Sequence, residues 1–144
     1  MIAPGIIYLD TSAVASVLFR EPAGEAMGAV LRECELEGAE VASSQILRVE
    51  LHRAALRNAL QAGKDGYNRD SVERALASIT LYEINHRVLD TAISLRPYLG
   101  SLDSIHVATA MMLGPAVVRF ASLDLAQCEV ASVNGLETIP TPGW

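Results

Sequence analysis

Short apolar runs that stop abruptly alternate along this chain with longer stretches in which apolar residues recur every three or four positions. The first run, Ile6 to Leu9 (IIYL), is too short for a helix and rich in Ile, which predicts a strand buried on both faces of a parallel sheet. Ser12 to Phe19 is apolar and Ala-rich, predicting a short helix that Arg20, Glu21 and Pro22 interrupt. Pro22 suits the first turn of a second helix running to about Glu37, with Ala26, Val30, Leu31 and Cys34 as its apolar stripe and Gly38 closing it. Glu40 to Ala42 reads as a second strand. Ser43 or Ser44 can cap a third helix, SQILRVELHRAALRNALQAG, whose Ile46, Leu47, Leu51, Ala54, Ala55 and Leu60 lie at helical spacing before Gly63.

Lys64 to Asn68 is polar and predicts an exposed loop, followed by a helix over Asp70 to Ala77. Ile79 to Ile84 alternates as a third strand should, and Asn85 can cap a helix ending before Pro97. Leu102 to Leu113 predicts another helix, Val117 to Ala121 a fourth strand, Asp124 to Val133 a helix stopped by Asn134 and Gly135, and Glu137 to Ile139 a short fifth strand. Pro140, Pro142 and Gly143 leave an irregular tail. Strands separated by helices along the whole chain imply parallel pairing: an α/β fold with a short central sheet of four to five strands between two helical layers.

Composition narrows this picture. The 144 residues suit one domain spanning 1–144, and 51% hydrophobic with 19% charged residues excludes a disordered chain. No apolar stretch reaches the roughly 18 residues that span a bilayer, and the start lacks the charged region and cleavage site of a secretory leader, so the expected location is the cytoplasm, away from membranes. Cys34 and Cys128 lack CxxC spacing and read as packing thiols. A net charge of −6 is unusual for a nucleic-acid binder, but ten of the eleven basic residues are Arg, and acids gathered around a metal would account for part of the excess.

The acids themselves follow a pattern. Asp10 ends the first strand and Asp124 follows the fourth in the same way, each beside a hydroxyl, Ser12 and Ser122. If these strands are neighbours with the strand order reversing between them, both acids flank the crevice where such sheets bind ligands. Helix capping explains each acid separately. Glu50 lies at the margin of the third helix's apolar stripe, where it either faces a polar pocket or pairs with Arg53 or Arg57 on the helix surface. Asp103 opens an apolar helix, where it can compensate the helix dipole. Four converging carboxylates would raise one another's pKa, and a hard divalent cation, Mg²⁺ or Mn²⁺, resolves that conflict while leaving room for phosphate.

The segments YLDTSAV, QILRVEL, SLDSIHVATAM and SLD, in this order over nearly the whole chain, resemble the signature stretches of the PIN-domain ribonucleases, and most closely the VapC-like toxins of bacterial toxin–antitoxin pairs. The resemblance implies a PIN-like three-layer α/β/α sandwich and a metal-dependent endoribonuclease that leaves 5′-phosphate and 3′-hydroxyl ends. Asp10, Glu50, Asp103 and Asp124 match the acidic site, holding one or two ions, with Glu50 acting directly or through a water. Ser12 matches a hydroxyl that orients a carboxylate or a water on the metal, and Ser122 stands where the family usually has Thr. The resemblance also implies a homodimer and a cognate antitoxin that covers the site.

Arg53 and Arg57 follow Glu50 on one helix face and are candidates to hold substrate phosphates, with Ser122 as a further candidate for substrate contact and Arg20, Lys64 and Arg69 as further basic positions. His106 lies one turn after Asp103, where either general-base chemistry or hydrogen-bonded packing suits it. His52 and His86 have no evident constellation, while Tyr98, Met111, Met112 and Trp144 read as packing or interface residues. An aspartyl phosphatase would want a second Asp at position 12, and a receiver domain a late Lys; neither is present. A PIN-like scaffold that binds RNA or protein without cleaving is the remaining alternative.

Overall fold

The computed structural model describes residues 5–115 and 118–139. Five strands form one parallel sheet: β1 (Ile6–Leu9), β2 (Glu40–Ser44), β3 (Thr80–Tyr82), β4 (Val118–Ala121) and β5 (Glu137–Ile139), in the order β3-β2-β1-β4-β5. The chain builds outward from β1 to β3, then returns to the other side of β1 with β4. The strand order therefore reverses between β1 and β4, whose register pairs Leu9 with Ala121. The ends of these two strands, and the acids that follow them, are placed side by side at the crevice where open α/β sheets bind ligands.

Alternation along β1 separates two cores. Ile7 and Leu9 pack against α1 (Thr11–Leu18), α2 (Gly24–Leu36), α3 (Ile46–Gln61) and α4 (Arg69–Ala77), whereas Tyr8 joins Phe120 and Val118 under α6 (Ser101–Met112) and α7 (Leu125–Val133). Helix α5 (His86–Ser94) packs on α6, and Asn85 caps it by accepting from Val88 N. The result is the expected α/β/α sandwich. Only Leu47, Leu51 and Ala55 of α3 are fully buried. Each leucine contributes about 1.5–3 kcal/mol by leaving water, enough to hold a narrow face and leave Glu50, Arg53 and Arg57 outside the apolar layer.

Several local expectations change. Helix α2 starts at Gly24, with Pro22 in the preceding turn, and its buried residues are Gly24, Met27, Gly28 and Cys34, while Ala26, Val30 and Leu31 are half-buried. The reason is close helix contact: a Cβ on Gly24 would lie 2.0 Å from the Ser16 carbonyl oxygen, so α1 and α2 meet backbone to backbone there. Gly38 takes φ 86° and ends α2 as expected. Ser43 and Ser44 belong to β2 and do not cap α3 in the expected way: Ser43 Oγ donates to the Leu9 carbonyl, Ser44 Oγ accepts from Ile46 N, and Gln45 occupies the cap position. Leu60 is largely exposed at the end of α3, and β3 is confined to three residues. Both cysteines are buried and free. Among the described residues no helix is long and apolar enough to cross a membrane. Trp144 and the Pro140–Gly143 tail lie outside the described residues, as does Val117.

Candidate active site

Asp10 is 2% exposed at the end of β1, and its carboxylate is surrounded by donors. Ser12 Oγ lies 2.8 and 2.9 Å from its two oxygens, Ala13 N donates to Oδ1 at 2.9 Å, and Ser122 Oγ donates to Oδ2. Each hydroxyl directs its one proton at Asp10 and accepts a backbone N–H in return, from Leu123 to Ser12 and from Asp124 to Ser122, both at 3.0 Å. Burial still pushes the Asp10 pKa up; the hydrogen bonds from Ser122, Ala13 and Ser12 offset it in part. Capping and site-building coincide here: Asp10 caps α1 through Ala13 N, and Asp124 caps α7 through Gln127 N at 3.2 Å. Asp103 sits in the first turn of α6. Three helix N-termini thus carry three of the four acids, each favouring its charge by about 0.3–1 kcal/mol.

Glu50 is held from the opposite side. Thr11 Oγ1 donates to its Oε1 at 2.7 Å, and His106 Nε2 meets the same oxygen at 2.8 Å. His106 is 1% exposed, and its Nδ1 lies 2.7 Å from the Tyr8 hydroxyl. Tyr8 stacks on Phe120 at 5.5 Å, and burial pushes its pKa far up, so the phenol stays protonated. Partial burial raises the Glu50 pKa, but the hydrogen bonds from His106 and Thr11 outweigh it and leave the carboxylate below its ordinary value. The surface pairing of Glu50 with Arg53 does not form; the buried imidazole takes that role.

Asp103 accepts no hydrogen bond among the described residues. Burial raises its pKa first and the charge of Asp124 raises it further, His106 opposes them, and Glu50 adds a smaller upward push. Asp103 on α6 therefore feels both Asp124, the cap of α7, and Glu50 on α3. Among the described residues, no Lys or Arg pairs with Asp10, Asp103 or Asp124, and no three His, Cys, Asp or Glu side chains are gathered tightly enough to cage an ion by themselves. A hard divalent ion that binds through one or two carboxylates and keeps several waters suits such a site. The donor set is all oxygen, with surplus negative charge and free carboxylate atoms on Asp103 and Glu50, so these residues fit a hard divalent ion.

Beside Glu50, a groove of about 750 Å³ runs along α3, lined by Thr11, Arg53, Ala54, Arg57, Leu60 and Gln61 among others. Arg53 and Arg57 are exposed on it, and neither forms an ion pair among the described residues. Lys64 lines a separate groove of about 680 Å³ between α3 and α4. His52, which had no evident partner, bonds the Tyr67 hydroxyl through Nδ1 at 2.8 Å and lies 3.5 Å from Glu73, itself paired with Arg48. Sequence reasoning missed Tyr8 and Thr11. A hydroxylated ring inside an Ile/Leu strand, two positions before an acid, is the signal that marks Tyr8. Tyr98 is 88% exposed and packs on nothing extensive.

A PIN domain model matches residues 7–131. Ribonuclease VapC46 of Mycobacterium tuberculosis is 37% identical over 134 residues, covering 92% of this chain and 95% of that protein. Ribonuclease VapC47 of the same species is 31% identical over 123 residues, covering 83% and 85%. Among solved structures, VapBC2 from Rickettsia felis, crystallised with a DNA fragment from its promoter, matches with a TM-score of 0.70 at 13% identity over 94% of this chain and 98% of that one. FitAcB from Neisseria gonorrhoeae matches with 0.65 at 18% identity over 96% and 100%. With a family model over most of its length and two relatives above 30% identity, the chain belongs to the PIN-domain family, among its VapC-like members.

Proposed function

We propose that this protein is a divalent-metal-dependent endoribonuclease, the toxin of a toxin–antitoxin pair. What supports it is Asp10 and Asp124 at the adjoining ends of β1 and β4, Glu50 bonded to Thr11 beside Asp10, and Asp103 feeling the charges of Asp124 and Glu50, with no Lys or Arg among the described residues paired with Asp10, Asp103 or Asp124. The ribonuclease names of the two curated relatives support the substrate class. Asp10, Asp103 and Asp124 hold one or two ions, Mg²⁺ or Mn²⁺, and Glu50 contributes directly or through a water. The ion supplies water activation and offsets charge building on the phosphodiester. Ser12 and Ser122 keep the Asp10 carboxylate in place, and Arg53, with Arg57, holds RNA phosphates in the α3 groove beside it. The protein works in the cytoplasm as a homodimer, and an antitoxin covers the acidic crevice, a basic side chain of that partner complementing its charge.

The test is cleavage of structured RNA by the purified chain with Mg²⁺ or Mn²⁺, with EDTA, and with Asp10→Asn. Discrete, divalent-dependent cuts that vanish with EDTA and in Asp10→Asn, while the variant stays folded, are expected. RNA binding without any cleavage by the parent protein would establish the scaffold reading instead.

A further inference from the structure

Two polar groups lie where the fold needs only apolar ones. Tyr8 is fully buried in β1, and its stack on Phe120 would be kept by a phenylalanine. His106 is buried on α6 among Val107, Ala108 and Ala110. A buried hydroxyl or imidazole costs free energy unless it is hydrogen-bonded, and these two satisfy each other before reaching Glu50. Because the Glu50 carboxylate only accepts, His106 Nε2–H donates to Oε1, and the other ring nitrogen, Nδ1, is hydrogen-bonded to the Tyr8 hydroxyl at 2.7 Å. Thr11 adds a second donor to the same oxygen, so Oε1 is filled from two sides and Oε2 has no protein partner among the described residues.

The anchors of this chain matter as much as its bonds. Tyr8 is two residues before Asp10, Thr11 is the residue after it, and His106 is three residues after Asp103. Glu50 on α3 is therefore tied to β1, α1 and α6 at the points that carry two other acids. We propose that Tyr8 and His106 are positioning residues, a buried relay that fixes the Glu50 carboxylate relative to Asp10 and Asp103 and reserves Oε2 for the ion or its water. The proposal rests on the metal-dependent reading above.

The test uses the full chain and three variants: Tyr8→Phe, which keeps the ring stack; His106→Leu; and His106→Gln, whose amide N–H can still reach Glu50. Mn²⁺ affinity is read by electron paramagnetic resonance without RNA, kcat and KM on an RNA substrate, and Tm in EDTA. Tyr8→Phe and His106→Leu are expected to weaken Mn²⁺ binding and lower kcat by about tenfold each with KM unchanged, the usual scale for partners that orient metal ligands, and His106→Gln to recover most of the loss. Parent-like Mn²⁺ affinity and kcat in Tyr8→Phe overturn the relay while leaving metal-dependent cleavage standing. A loss that only follows Tm, with no recovery in His106→Gln, overturns it as well. A parent protein that neither binds Mn²⁺ nor cleaves removes the functional reading and the relay together.

Discussion

Asp10 and Asp103 are both acids of the proposed metal site, and the fold surrounds them differently. Asp10 is buried at the end of a central strand, caps a helix and accepts from two hydroxyls and a backbone amide. Asp103 is half-buried in a first helical turn, accepts from nothing among the described residues and feels the charges of Asp124 and Glu50. One carboxylate is part of the architecture; the other is held in place only by its helix. Burial raises the pKa of both, but at Asp10 hydrogen bonds from Ser122, Ala13 and Ser12 offset part of that cost, whereas at Asp103 the neighbouring charge of Asp124 adds to it.

The sharpest separation is between Asp103→Asn and Asp10→Ala. Asp103→Asn is expected to reduce divalent-dependent cleavage on the order of 10³-fold, about 4 kcal/mol of transition-state stabilisation, without lowering Tm in EDTA. Because the folded-state pKa of Asp103 is raised, the folded chain binds its proton more tightly than the unfolded one. The acid therefore weakens the fold at neutral pH, and this is relieved as pH falls through the raised pKa. The Tm advantage of Asp103→Asn in EDTA should shrink between neutral pH and about pH 4, and an advantage constant across that range would argue against the repulsion. Asp10→Ala should abolish cleavage too, but with about 1–3 kcal/mol of lost stability from an empty cap and unpartnered donors, measured by urea unfolding. Equal stability in the two variants would erase the distinction.

Ser122 tests the bonded corner alone. Ser122→Ala removes a donor from Asp10 Oδ2 and the acceptor of Asp124 N, so cleavage should fall about tenfold with about 1 kcal/mol of stability. Ser122→Thr, which keeps the hydroxyl, should stay close to the parent in both assays. A Ser122→Ala protein with full activity would show that Asp10 is fixed by Ser12 and Ala13 without it.

The same contrast explains what could be read from the chain. Asp10 and Asp124 were legible because a buried strand is an apolar run, and its end is visible where the run meets a carboxylate; the reversal of strand order between β1 and β4 then brought them together as expected. Asp103 was legible as the acid opening an apolar helix. The Tyr8–His106–Glu50–Thr11 chain was not, since each member had a sufficient local explanation: an aromatic in a strand, a packing histidine, an acid with Arg53 one turn away, a helix-opening threonine. Its bonds join residues 39 to 98 positions apart, and no periodicity carries that information. Ser43 and Ser44 misled for the converse reason, because hydroxyls before a helix suit a cap, while Ser43 instead joins β2 to the Leu9 carbonyl. Met27 and Gly24 depended on how closely α1 and α2 approach, which is set by the partner surface.

The smallest effect is expected where the fold has built least. Arg53 stands exposed in the α3 groove, next to Glu50 and free of ion pairs among the described residues, so removing it costs the fold nothing measurable. If it holds a phosphate, Arg53→Ala should raise KM for RNA a few-fold with kcat retained, and lower the slope of log K against log salt by about 0.7, the value for one single-strand phosphate contact. Asp103→Asn should do the reverse, lowering kcat with the salt slope unchanged. An Arg53→Ala protein whose binding follows the parent across a salt titration would assign the groove to something other than the RNA backbone. The division between acids that cut and an arginine that holds would then have to be drawn elsewhere on α3, beginning with Arg57 one turn further along the same groove.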